Sequence, residues 1–147
     1  MYLVISNTIK IENAIDNFKI MPKKIINTSE APQPIGAYNQ SVFKNGFLYT
    51  SGQIAINPKT GETEFGDLTH ETKLVMSHLS EILKKANMTF ENVIKVSIFV
   101  KDITKFSEIN SVYSTYFNEK TAPAREMVQV ADLPKHANIE ISLIAAE

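Results

Sequence analysis

The sequence contains no cysteine, which excludes disulfides, thiolate catalysis and cysteine-ligated metal centres. No apolar run approaches the length needed to span a bilayer. Leu3-Val4-Ile5 is too short for a signal-peptide core, and no basic segment precedes it. The net charge of -1 provides no long-range field to gather nucleic acid or anionic lipid, and the lysines form no stripe interleaved with aromatics. The 5 glycines are scattered and build no phosphate-cradling loop. The 3 histidines, His70, His78 and His136, show no metal-ligand spacing and are expected to be solvated. Ser51 lacks the glycine flanks of a nucleophile elbow. Arginine is nearly absent too: of the 15 basic residues only Arg125 is not lysine.

What is present describes one ordinary globular domain of 147 residues, 44% hydrophobic and 21% charged. Residues 1–20 differ from the rest. They have no arginine and carry Glu12 and Asp16, unlike a transit peptide. Met21 then opens a stretch that looks like a natural start. Residues 1–20 are expected to be an extension, with a short helix suggested by Ile11, Ala14, Ile15 and Phe18, and residues 21–147 the functional domain.

Within that domain, Ala31 to Gly36 is a proline-rich loop leading to Tyr38. Asn45-Gly46, between Ser41-Val42-Phe43 and Phe47-Leu48-Tyr49, predicts a hairpin with a type I′ turn. Asn57 to Gly61 predicts a second turn. Asp67 to Ala86 predicts a helix with Asp67 as N-cap and a buried stripe of Val75, Leu79, Ile82, Leu83 and Ala86. Val93 to Lys101 alternates as a strand, with Ile94, Val96, Ile98 and Val100 on one face. A second helix is expected from Thr104 to Asn118, followed by a strand headed by Arg125 and another over Asn138 to Ala146. The order predicts an α+β fold, a mixed sheet with two helices packed on one face. Phe99 and Ile144 fall on the other face, so that face calls for a partner chain.

The candidate chemistry lies in the last two strands. A guanidinium binds a carboxylate through two parallel hydrogen bonds, which an ammonium cannot copy. Glu140 sits in an apolar strand where an unpaired carboxylate is costly. If the two strands pair antiparallel, Arg125 and Glu140 approach each other, and pattern alone serves a structural ion pair as well as a functional one.

Six segments resemble the Rid family of reactive-intermediate deaminases, in its RidA branch of enamine/imine deaminases. They are Ala31-Pro32-Gln33-Pro34-Ile35-Gly36-Ala37-Tyr38-Asn39-Gln40, Tyr49-Thr50-Ser51-Gly52-Gln53-Ile54, Lys95-Val96-Ser97-Ile98-Phe99-Val100-Lys101-Asp102, Asn110-Ser111-Val112-Tyr113, Pro123-Ala124-Arg125, and Leu133-Pro134 followed by Ile139-Glu140-Ile141. The resemblance implies a chorismate-mutase-like fold and a homotrimer with sites between subunits; no cofactor and no metal are expected, and the expected cytoplasmic location is compatible with the absence of cysteine. It implies that Arg125 binds the substrate carboxylate and that Glu140 positions water and handles protons. Tyr38, Ser51, Gly52 and Asn110 would line the site, with Met127 in place of a frequent cysteine. Ala37 and Ser142 also depart from the commoner proline and glutamate. The activity implied is hydrolysis of 2-aminoacrylate and 2-aminocrotonate, through their imines, to 2-oxo acids and ammonia. The alternatives are a non-catalytic trimer that binds 2-oxo acids, and an endoribonuclease, for which no basic face or catalytic histidine is visible. Partners are expected to be small 2-imino or 2-oxo acids and further copies of the chain, not membrane or nucleic acid.

Overall fold

The computed structural model describes residues 22–147. The expected extension over 1–20 and its helix lie outside the described residues. The elements are β1 (Lys24–Ile26), β2 (Ser41–Lys44), β3 (Phe47–Thr50), α1 (Leu68–Lys85), β4 (Val93–Val100), α2 (Phe106–Tyr113), β5 (Ala124–Gln129) and β6 (Ile139–Ala146). Short 3-10 turns flank α2 on both sides, so the helical segment expected to reach Asn118 is α-helical only to Tyr113.

The hairpin forms as its turn residues require. Asn45 and Gly46 both take positive φ, 52° and 80°, the pair that a type I′ turn demands. Helix α1 is capped as expected, with Asp67 accepting from the His70 N–H at 3.1 Å. Its buried stripe adds Met76 and His78 to Val75, Leu79, Ile82 and Leu83. His78 is therefore not the solvated residue expected: it is 1% exposed. It stands three residues after Val75 and four before Ile82, which puts it on the same helical face. Neither ring nitrogen makes a well-formed hydrogen bond among the described residues, and burial, only partly offset by Glu64 and the Ile54 backbone, holds its pKa down at about 4. His70 and His136 are exposed as expected, each 2.6 Å from a carboxylate, Glu64 and Asp132 respectively.

The sheet order is β1-β2-β3-β6-β4-β5. β6 pairs antiparallel with β3 on one side and with β4 on the other, whereas β5 pairs parallel with β4. The sheet is mixed, as expected, but β5 and β6 are not neighbours, and the expected antiparallel pairing about Leu133-Pro134 does not form. The last strand is drawn into the centre because Ile139, Ile141, Leu143 and Ala145 are all buried there against the helices. Lys24–Ile26, for which no strand was expected, adds an outer strand. In β4 a register shift between Val93 and Lys95 turns Ile94 outward, 47% exposed, so Val93 and not Ile94 joins Val96, Ile98 and Val100 in the core. The other face carries half-buried Phe99 and Ile144 and exposed Phe47 and Tyr49. Among the described residues no element covers that face, as expected.

Candidate active site

Arg125 and Glu140 do not meet. Arg125 is in register with Val96, beneath the helices, and Glu140 with Phe99 on the opposite face. β4 lies between their strands and their partners on it are three residues apart, so their backbones stand about 14 Å apart. The structural ion pair between them is excluded. Within one chain the candidate residues fall into two groups.

The first group surrounds Arg125 at the open edge of the sheet. Its guanidinium lies over Tyr113 at 4.8 Å and near Phe106 at 5.5 Å, and Nη1 donates to Asn110 Oδ1 at 2.8 Å. Phe106, Asn110 and Tyr113 are spaced four and three apart on α2, so one helical face supplies all three contacts. Only one Arg125 nitrogen is engaged by a hydrogen bond among the described residues, and the rest of the planar fork remains free to take a carboxylate. Met127, two residues on, packs its side chain against the core. Its backbone N–H faces the open edge. Val130 N donates to Val100 O, and alternation along a parallel ladder then turns the N–H groups of Arg125, Met127 and Gln129 away from β4.

The second group lines a cavity of about 660 Å³ and includes Tyr38, Ser51, Gly52 and Glu140. Ile54 and Ile56 add apolar wall, and Pro134 and Lys135 close the far side. Glu140 is half-buried, and among the described residues no donor reaches its carboxylate. Burial raises its pKa above the ordinary carboxylate range. Ser51 donates from Oγ to Asn39 O at 2.6 Å, which ties the end of β3 to the loop before β2. Tyr38 is 49% exposed at the rim.

Two supports escaped the sequence reading. Gln40 closes the first motif, where its residue type points to the surface, yet it is buried. Its amide donates to Thr28 O, Ala31 O and Pro32 O and accepts from Thr28 N at 2.6 Å, and so holds the proline-rich wall of the cavity. The stacking of Arg125 on Phe106 and Tyr113 was legible in the helical spacing of those residues around Asn110. Lys135 and His136 both take positive φ beside the cavity, 56° and 60°, and nothing in their residue types announces it.

Comparison with known proteins agrees with the motifs. The family model described as Endoribonuclease L-PSP matches residues 28–147. A RutC family protein of Synechocystis is 45% identical over 129 residues, 85% of this chain and 97% of that protein. The rat 2-iminobutanoate/2-iminopropanoate deaminase is 43% identical over 125 residues, 85% of this chain and 90% of the rat protein. The crystal structure of E. coli TdcF with bound serine matches with a TM-score of 0.79 at 39% identity, covering 84% of this chain and 98% of TdcF. With its six motifs in register and a family model spanning nearly the whole described chain, the protein belongs to the Endoribonuclease L-PSP family, the Rid family its motifs resemble.

Proposed function

We propose that the protein hydrolyses 2-imino acids, the tautomers of 2-aminoacrylate and 2-aminocrotonate, to 2-oxo acids and ammonia. We place the reaction where the two groups meet between adjacent copies of the chain in a homotrimer. The observation that carries this reading is the division itself. Among the described residues, one chain presents a cation with a free fork at a sheet edge, and a half-buried carboxylate without a partner on the opposite face. Each is what the other lacks. The rat relative's name and the serine held by TdcF support a small amino-acid-like carboxylate as ligand.

The chemistry asks little of the protein. The C=N carbon of a 2-imino acid is already electrophilic, so positioning and proton transfer suffice. Arg125 binds the carboxylate through the part of its fork that Asn110 leaves free, aided by the Met127 N–H. Glu140, ionised, accepts a proton from water as the oxygen adds to the carbon and the C=N π electrons move to nitrogen. Glu140 returns that proton to the nitrogen, which gives the neutral carbinolamine; it then takes the hydroxyl proton as the C=O bond forms and the C–N bond breaks, that proton passes to the departing nitrogen, and ammonia leaves a 2-oxo acid. A carboxyl held above its usual pKa is better matched to taking and returning that proton near neutrality. Tyr38 and Ser51 line the polar part of the cleft and orient water and amine.

Nothing in the cavity favours the ribonuclease that the family description names. None of the three histidines lines the cavity. The test generates 2-aminocrotonate with a threonine dehydratase and follows 2-oxobutanoate in the first seconds. A rate that rises with the concentration of this protein supports the reading. An unchanged rate, with 2-oxobutanoate still bound, would make the protein a holding or regulatory protein and refute the hydrolase.

A further inference from the structure

Strand β3 leaves β6 and rejoins it. Tyr49 pairs with Ile144, and Gln53 pairs with Ile141 through two backbone bonds of 2.9 and 3.1 Å. On β6 the step from Ile144 to Ile141 is three residues, whereas on the other side the step from Tyr49 to Gln53 is four. One residue is extra, so the segment Thr50-Ser51-Gly52 is a bulge. Across the gap a side chain replaces the backbone. Thr50 Oγ1 accepts from Leu143 N at 2.9 Å and donates to Leu143 O at 3.3 Å. A hydroxyl has one proton and two lone pairs, so both bonds form at once, and neither backbone group of Leu143 is left unpaired.

The bulge swings Gly52 against Glu140. Gly52 is not among the positive-φ residues, so its backbone does not require glycine. Space does. A methyl group built on Gly52 would sit 2.5 Å from Glu140 Cδ and 2.8 Å from Cγ and would overlap Oε1. The carboxylate occupies the volume that any other residue at position 52 would fill.

We infer that Thr50 and Gly52 are positioning residues for Glu140: the Thr50 hydroxyl fixes the bulge, and Gly52 leaves the space in which the carboxylate lies over the cavity. The inference rests on the reading of Glu140 as the proton-handling group. Neither residue needs to touch the substrate through its side chain. Without the hydroxyl, Leu143 N–H and C=O lose their partner and the bulge is free to relax, which admits water beside Glu140. With a side chain at position 52 the carboxylate is displaced outright.

The test uses the full chain with Thr50→Val, Thr50→Ser and Gly52→Ala. Three quantities are read: the deamination rate with its kcat and KM, the titration of the Glu140 carboxyl by carbon NMR, and the melting temperature. Thr50→Val is expected to lower kcat about tenfold with little change in KM, the scale of one hydrogen bond made to count in the transition state. It is also expected to return the Glu140 titration, and the acid limb of the kcat profile, toward the ordinary carboxylate range. Thr50→Ser keeps the hydroxyl and restores both. Gly52→Ala breaks no hydrogen bond and carries the test should Thr50→Val fail to fold; it is expected to lower kcat further and to move the same titration. An unmoved Glu140 titration in the folded variants, whatever happens to melting, would overturn the inference and leave the bulge merely structural. The titration decides this without any activity, so a wild-type protein that fails to deaminate would refute the proposed function and leave this test intact.

Discussion

If Arg125 and Glu140 act across an interface, mixed assemblies obey a simple count. Each site takes its arginine half from one copy and its carboxylate half from a neighbour, as in any closed assembly with the site between subunits. Arg125→Ala and Glu140→Gln each spoil one half. Loss of a charged hydrogen bond costs about 1.5–3 kcal/mol, roughly tenfold to a hundredfold in rate, so neither homo-oligomer is expected to keep more than about a tenth of wild-type activity. When the two variants are co-expressed at equal levels and mix at random, the chance that both halves of a site are intact is one half times one half, and about a quarter of wild-type activity returns. A second mixture sharpens the result. Wild type combined equally with the double variant Arg125→Ala/Glu140→Gln leaves about a quarter of sites intact if they are shared, but about half if each site lies within one chain. The assay is 2-oxobutanoate formation on samples whose mixed composition is verified by native mass spectrometry. Activity that stays at the mean of the two variants in verified hetero-oligomers, or half activity in the second mixture, would refute the divided site.

Glu140 and His78 make opposite predictions about pH. Burial raises the Glu140 pKa, so from its ordinary value of 4.5 upward the native state holds more protons than the unfolded one, and stability falls as pH rises through that window. Glu140→Gln is therefore expected to melt no lower than wild type at pH 7 while deaminating poorly; a marked drop in melting temperature would show that the carboxylate is structural. His78 is held neutral, with its pKa lowered from 6.5 to about 4, so its contribution is complete above pH 6.5 and is lost as pH falls toward 4. The loss amounts to about 3 kcal/mol across that window, and His78→Leu is expected to flatten this acid loss in melting curves and to raise the melting temperature at neutral pH. A chain beginning at Met21, which keeps every motif, is expected to keep its oligomeric state by sedimentation and its activity; an inactive or insoluble product would place residues 1–20 in the domain.

Local chemistry made much of the fold legible. Asn45-Gly46 specified its turn because few residue pairs accept two positive φ angles in succession. Asp67 marked the start of α1, and the apolar stripe marked its buried side. The alternation in β4 and β6 told which face each residue takes. It could not tell which strand lies beside which, because period-two alternation is the same for every neighbour. That choice was made by burial at the centre of the sheet, and it separated Arg125 from Glu140. Ile94 was misassigned because a bulge leaves no mark on the pattern before it occurs. His78 was misassigned for another reason: its spacing announced burial, and only its polar ring argued otherwise. The residues of the candidate site were named from sequence, but their division into two groups was not, since that follows from strand order.

The strand order also has an energetic consequence for the site. Had β5 and β6 paired, Arg125 and Glu140 would have neutralised each other, and a substrate carboxylate would have had to displace Glu140 from the guanidinium. With β4 between them, each charge is left without the other. Arg125 is held by two aromatic rings and an amide oxygen, none of which competes for the full fork. Glu140 is left half-buried at a cost in stability, because desolvation disfavours its charged form. Under the proposed reading, that cost is the counterpart of Glu140's part in proton transfer. The apolar face with Phe47, Tyr49, Phe99 and Ile144 is left uncovered by the described residues. Under the proposed reading, covering that face and bringing a second copy's Arg125 to the cavity that Glu140 lines, with the substrate between the two, are one event, so the protein is expected to acquire its site only as it assembles.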